Sequence, residues 1–367
     1  MNHLDFLSWK KHFVAEAKKT KTPICGQFEL TSRCNLDCKM CYVHNQDSNK
    51  LKDCELTTEQ WKHIFDQACD MGLLFATLTG GECMLRNDFK DLYLHLINRG
   101  VMVSIISNGL LLDDDMINFY KSYPPAAIYV TVYGSCDSAY KKVTGHACFG
   151  RVFDTLQRLK NSGLYFKVNV TPSSYIADDY INILKFLHEN HYAVGYGDFA
   201  VLKKRYDSDA TDHRLSADQI IKLSTERCLL HSKPIPTICL PEVGGCAEEA
   251  ELGLTCSAGN ALAFVNWEGK MYPCVALVPY GGFSLIEMTY EEAWTKTVDA
   301  TQKIINPVEC SGCAYIKACP KCIINRTLYL NSGHCDPQVC EYTKRLVAAG
   351  VKKLDMRQED DEDEIEH

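Results

Sequence analysis

Six short runs rich in β-branched and aromatic residues, at 24–31, 73–79, 101–106, 126–133, 165–171 and 195–200, alternate with longer amphipathic segments in this 367-residue chain. Such alternation predicts repeated βα units around a parallel sheet. Six units are too few for an eight-stranded barrel. The expected fold class is therefore α/β, a partial (β/α)6 barrel of TIM type, open on one side. Helix starts are marked by Thr57 before Thr58-Glu59-Gln60-Trp61, Asn87 before Asp88-Phe89 and Asp113 before Asp114-Asp115-Met116, short polar side chains suited to accept from first-turn N–H groups. Ahead of the first run, residues 3–19 read as one amphipathic helix with Leu4, Phe6, Leu7, Trp9, Phe13 and Val14 apolar, expected to pack across the bottom of the barrel.

Directly after the first run stand Cys34, Cys38 and Cys41, spaced C-x3-C-x2-C. Three thiolates on one short loop can hold three irons of a four-iron cluster and leave the fourth open to a ligand that is not protein. A zinc ion with a distant fourth ligand is the other reading of the trio. Gly80-Gly81-Glu82 follows the second run and Ser107-Asn108-Gly109 the third. Barrel enzymes place their chemistry in the loops after strand C-termini, and loops after consecutive parallel strands share one rim. These motifs should thus meet at one site.

With these motifs the segment resembles the radical S-adenosylmethionine (radical SAM) superfamily. The resemblance implies that the open iron chelates SAM, and that a transferred electron cleaves SAM to a 5'-deoxyadenosyl radical. It also implies roles for the rim. Gly80 and Gly81 let backbone come close to a ligand, and Glu82 with the strand edge receives the methionine ammonium. Ser107 and Asn108 bond the ribose hydroxyls or the carboxylate, Asn169 is a further candidate at the end of the fifth run, and Met40 and Tyr42 flank the adenine. Candidates facing substrate or taking part in catalysis are Tyr133, Asp198 and Cys239, with Lys141 and Lys142 near them.

Beyond residue 200 the βα pattern stops, and residues 201–245 form a connector with a helical stretch at 216–231. The chain has twenty cysteines, six of them between Cys310 and Cys340. No export signal is present, and a reducing cytoplasm makes metal a better explanation than disulfides. Cys256 and Cys274 flank a predicted hairpin that turns at Glu268-Gly269, followed by Cys310-x2-Cys313-x5-Cys319-x2-Cys322 and Cys340. Over 246–345 this resembles the SPASM domain, which carries two auxiliary four-iron clusters. The resemblance implies Cys256, Cys274, Cys322 and Cys246 for the first cluster, and Cys310, Cys313, Cys319 and Cys340 for the second. Cys335 competes for the last place, and the gap between Cys319 and Cys322 is one residue shorter than the family's.

The net charge of −8 comes largely from Glu359 to Glu366, and residues 357–367 are expected to be disordered. No basic stripe suits nucleic acid and no apolar run suits a membrane, so neither is an expected partner. A cytoplasmic location in a low-oxygen cell is expected. The expected domains are a helix at 1–23, the barrel at 24–200, the connector, the cysteine-rich region and the tail. Relatives that recognise a leader peptide often carry a separate domain for it; only 23 residues precede the first strand here, so a leader would be recognised by the barrel, the cysteine-rich region or another protein.

The resemblance points to hydrogen abstraction from a ribosomally made peptide, leading to a crosslink or another modification, with an external reductant such as flavodoxin or ferredoxin. Three alternatives stand beside it. Sulfatase-maturase-type oxidation of Cys or Ser to formylglycine wants an acidic residue after the hairpin's second cysteine, where Val275 stands. Epimerisation wants a thiol hydrogen donor, for which Cys83, Cys136, Cys148, Cys228 and Cys239 are unassigned. An electron-transfer or scaffold iron-sulfur protein is the alternative of another class.

Overall fold

The computed structural model describes residues 3–43, 55–196, 213–230, 256–310, 313–316, 318–319, 322 and 333–349. Asp198, Cys239, Cys246, residues 197–200 of the sixth run and the acidic tail lie outside the described residues.

Each run of the first half becomes a strand. In chain order these are β1 (Cys25–Glu29), β2 (Phe75–Thr79), β3 (Met102–Ser107), β4 (Ala127–Thr131), β5 (Phe166–Val170) and β6 (Val194–Tyr196). All five pairings between consecutive strands are parallel, with Phe28 opposite Leu78 and Ser107 opposite Val130. Helix α1 (His3–Thr20) precedes the sheet, and α2 (Thr58–Asp70), α3 (Phe89–Asn98), α4 (Asp114–Ser122), α5 (Asp137–Thr144), α6 (Phe149–Ser162) and α7 (Tyr180–Glu189) fill the connections.

Two of the three expected helix starts hold. Thr57 and Gln60 form a reciprocal capping box on α2, and the Asp113 side chain accepts from the Met116 N–H on α4. Helix α3 differs: its N-cap is Asp88, not Asn87, and Asp88 makes no side-chain cap bond. The carboxylate is already engaged, accepting from Arg86 at 2.7 and 2.8 Å and from the Thr58 hydroxyl at 2.6 Å.

The sheet does not close. It runs β6-β5-β4-β3-β2-β1 and then continues past β1 into β7 (Leu262–Val265), β8 (Lys270–Tyr272) and β9 (Phe283–Ser284). Strand β7 is parallel to β1, while β7/β8 and β8/β9 are antiparallel. The expected hairpin is therefore present, with Gly269 at φ 77° donating its N–H to the Asn266 carbonyl at 2.9 Å. It is built onto the first barrel strand rather than standing apart from the barrel.

At the opposite edge, α8 (Ala217–Leu230) packs on α7, and, α9 being Tyr290–Gln302, helix α10 (Pro337–Ala348) packs on α8. Arg214 meets the buried Asp336 at 2.7 Å beside the start of α10.

The main core fills the space between the sheet and its helices. Phe28 of β1 meets Phe65 of α2 edge-on at 5.0 Å between ring centroids, with Trp61 also in contact. A second cluster joins Trp9, Val14 and Ala17 of α1 to Ile24, Phe75 and Met102 at strand starts. Helix α1 thus covers the bottom of the barrel, leaving the top rim for the motifs. No helix among the described residues is long and apolar enough to cross a membrane.

Candidate radical and cluster site

The residues just after β1 run along the end of β2. Gly81 donates its N–H to the Thr31 carbonyl at 2.8 Å, and Glu82 donates to the Arg33 carbonyl at 2.8 Å. A Cβ on Gly80, at φ 147°, would lie 2.4 Å from the Thr31 oxygen, and one on Gly81 would lie 2.3 Å from the Arg33 oxygen. The glycines' missing side chains admit the backbone that leads into Cys34, so the close approach is to the protein's own chain.

Glu82 is fully buried. Its carboxylate accepts from the Ser107 hydroxyl and the Asn108 N–H, both at 2.9 Å, and from the Met84 N–H at 3.3 Å. Burial raises its carboxyl above the ordinary value, while those three donors pull it down. Glu82 is thus a strut between the loops after β2 and β3. Asn108 carries the link onward, its Nδ2 lying 2.7 Å from Asn35 Oδ1 and 3.7 Å from Cys34 Sγ. The three motif loops are joined through one chain of hydrogen bonds.

The cysteine loop itself folds into the molecule. Leu36, Cys38 and Met40 are buried in the main core, Cys34 and Cys41 pack against it, and Tyr42 is half-buried. Asp37 and Lys39 donate their N–H groups to Thr144 and Val143 at the end of α5, each at 3.0 Å. Burial pushes the Cys34 thiol up to about 11, against a hydrogen bond from the Leu36 N–H, with Glu82 and Cys41 adding to the rise. Cys38 is raised further by burial and by Cys41 and Cys34, against a hydrogen bond from Tyr133.

Tyr133, just past β4, is half-buried against Tyr140. Its loop is fixed by Ser135, which donates N–H and hydroxyl to Asp179 at 2.6 and 2.7 Å. Asn169 lies on β5, its Oδ1 2.6 Å from where a Cβ on Gly195 would sit, so it stands over β6. Lys141 and Lys142 are exposed on α5.

Cys34 and Cys38, whose ionisation is opposed mainly by burial and by the neighbouring thiols, fit together with Cys41 a cationic metal group, which would reverse both effects and hold thiolates. Among the described residues, no three His, Cys, Asp or Glu side chains are gathered as they would be around a single metal ion. In the cysteine-rich region Cys274 lies near Cys322 and Cys256, and burial with those two neighbours pushes its thiol up to about 12 against the Ala276 N–H. Cys310 and Cys335 are 3.7 Å apart, and Cys340 is also beside Cys335.

One feature of the site has no counterpart among the sequence candidates. Glu55 accepts from Arg33 at 2.9 and 3.0 Å and from the Thr31 hydroxyl, and Arg86 lies 3.7 Å from it. Arg86 also donates to the Leu30 and Leu56 carbonyls at 3.2 and 3.0 Å. The clue was charge flanking both motifs: Arg33 precedes Cys34, and Arg86 and Asp88 follow Gly80-Gly81-Glu82 in apolar surroundings that leave no charge unpaired.

Residues 28–187 match the family model described as the radical SAM superfamily. The AdoMet-dependent heme synthase of Methanosarcina barkeri is 22% identical over 324 residues, covering 83% of this chain and 92% of that protein. The mycofactocin maturase MftC of Mycolicibacterium smegmatis is 32% identical over 145 residues, or 38% of this chain and 35% of that one. Streptococcus suis SuiB, solved bound to the precursor peptide SuiA, shares the fold with a TM-score of 0.66 at 17% identity, over 93% of this chain and 82% of that one.

Proposed function

Residues 28–187 of this chain are a radical SAM domain and the chain is an enzyme of that superfamily, and from that premise we propose that it abstracts hydrogen from a residue of a ribosomally made peptide. The observation that carries the reading is the convergence of the cysteine trio, the Gly-Gly-Glu loop and the Ser-Asn-Gly loop on one rim, joined through Glu82 and Asn108. A four-iron cluster on Cys34, Cys38 and Cys41 would supply an electron and an open iron at which SAM is chelated and cleaved to the 5'-deoxyadenosyl radical. The protein's own part is placement. Glu82, Ser107 and Asn108 fix the second and third loops against the first, and Leu36, Cys38 and Met40 bring the cysteine loop into dry core.

The cysteine-rich region supports two auxiliary clusters. Cys274 neighbours both Cys322 and Cys256, with Cys246 as the proposed fourth ligand. Cys310, Cys313, Cys319 and Cys340 form the second set, with Cys335 against Cys310. Auxiliary clusters suit a reaction that loses a second electron, such as thioether or carbon-carbon bond formation. Flavodoxin or ferredoxin is the proposed reductant.

Support for a peptide substrate comes from the fold shared with SuiB and from the similarity to MftC. Formylglycine formation is disfavoured by Val275, which packs against Phe264, Tyr272 and Val278 where a base is wanted. Epimerisation has a thiol at the rim in Cys136, exposed just before α5, whereas Cys83 and Cys148 are buried. A second reading follows from the heme synthase match, which spans most of both chains: hydrogen abstraction from a porphyrin side chain.

The test is anaerobic reconstitution with SAM and dithionite, reading 5'-deoxyadenosine with and without substrate. Precursor peptides encoded near the gene should raise its yield and change mass. Turnover of an iron porphyrin, and none of peptide, would favour the second reading. Absence of 5'-deoxyadenosine from a protein loaded with iron would remove both.

A further inference from the structure

We propose that Asn108 serves the cluster rather than SAM, donating a hydrogen bond to the Cys34 sulfur that raises the reduction potential of the cluster on Cys34, Cys38 and Cys41. The proposal rests on the cluster reading above and concerns a tuning role within it. The backbone N–H and both side-chain polar atoms of Asn108 have protein partners. Its backbone N–H donates to Glu82 Oε2 at 2.9 Å, its Oδ1 accepts from the Leu110 N–H at 3.0 Å, and its Nδ2 lies 2.7 Å from Asn35 Oδ1 and 3.7 Å from Cys34 Sγ. A backbone N–H can face only the oxygen of the amide, so Leu110 fixes which end meets the sulfur.

The residue is 6% exposed, and its anchor Glu82 is itself held by the Ser107 hydroxyl. Among the described residues Cys34 Sγ accepts one other hydrogen bond, from the Leu36 N–H at 3.4 Å, and lies 3.9 Å from Asn35 Oδ1. A thiolate that accepts hydrogen bonds shares its negative charge with the donor. The reduced cluster carries one electron more, so the bond favours it over the oxidised cluster. Removing the donor moves the potential negative.

The full-length wild type, Asn108→Leu and Asn108→Ser are reconstituted anaerobically. Leucine is nearly isosteric, neutral and without a donor, and serine is neutral, can accept from the Leu110 N–H and is too short to reach the sulfur. The midpoint is read by redox titration of the EPR signal that changes when SAM is added, and the KM for SAM is measured alongside. Both variants should show a more negative midpoint with the SAM KM within about twofold of wild type. An unchanged midpoint in either variant overturns the proposal, as does a SAM KM raised by about tenfold, which would return Asn108 to the cofactor. Should the leucine variant take up no cluster, the serine variant decides on the same criteria. A wild type without a four-iron cluster defeats the underlying reading instead, a result distinct from either.

Discussion

Glu55 meets two arginines and a threonine from two other segments, and its side chain is 6% exposed. A carboxylate removed from water to that degree is tolerated because Arg33 takes it with two parallel N–H bonds while Arg86 stands close by. Glu55→Ala takes this carboxylate from the half-buried Arg33 and the buried Arg86, and breaking a buried pair costs up to about 3–5 kcal/mol. Chemical denaturation should show that loss together with reduced iron retention, since Arg33 adjoins Cys34; stability within error of wild type would mean that water replaces the carboxylate.

Glu82 makes a complementary prediction in pH. Its carboxyl is raised in the folded chain by burial, so the folded state binds that proton more tightly than the unfolded state does. The stability it contributes is fully present below the ordinary value of 4.5 and is lost as pH rises through the raised folded value. Glu82→Gln does not titrate. The cluster-free variant should therefore lose less stability than wild type as pH is raised from acid to neutral, and an identical slope in the two would remove burial as the dominant cause.

Among the elements, the turn after β2 matters most, because its two glycines set how closely the cysteine loop lies against the sheet. Gly81→Ala would place a methyl 2.3 Å from the Arg33 carbonyl oxygen, a backbone atom that cannot swing aside as a side chain does. Overpacking of this sort costs about 1–3 kcal/mol. The displaced loop should lose its iron and its SAM cleavage while the cysteine-rich region keeps its metal. An alanine variant with a full iron complement would show that the loop tolerates the shift.

The elements themselves were legible in the sequence because hydrophobic period and strand length coincide over 24–196, and each motif falls in the loop after its strand. What failed were details decided by tertiary partners. Asp88 displaced Asn87 as the cap of α3 yet leaves it uncapped, since Arg86 and Thr58 hold its carboxylate. Local sequence likewise cannot show that Asn35 and Leu110 engage the Asn108 amide. Glu55 gave no periodic cue, and its partners come from two other loops.

On the scale of the whole molecule, the cysteine-rich region engages both edges of the open sheet. Strand β7 adds to β1, and α10 reaches α7 by way of α8. Thiols distant in sequence are sorted between these attachments: Cys256, Cys274 and Cys322 on one side, Cys310, Cys335 and Cys340 on the other. If the first three share one cluster, Cys274→Ala, Cys322→Ala and the double variant should each lose the same four or so irons from about twelve per chain. The loss should not add, because a cluster missing one ligand is already released. Cys310→Ala should remove a different four or so, so that combining it with Cys274→Ala leaves about four irons on the barrel trio and SAM cleavage intact. Additive losses from Cys274→Ala and Cys322→Ala would place these two thiols on separate clusters, and anaerobic iron and sulfide analysis of the purified variants decides between the two outcomes.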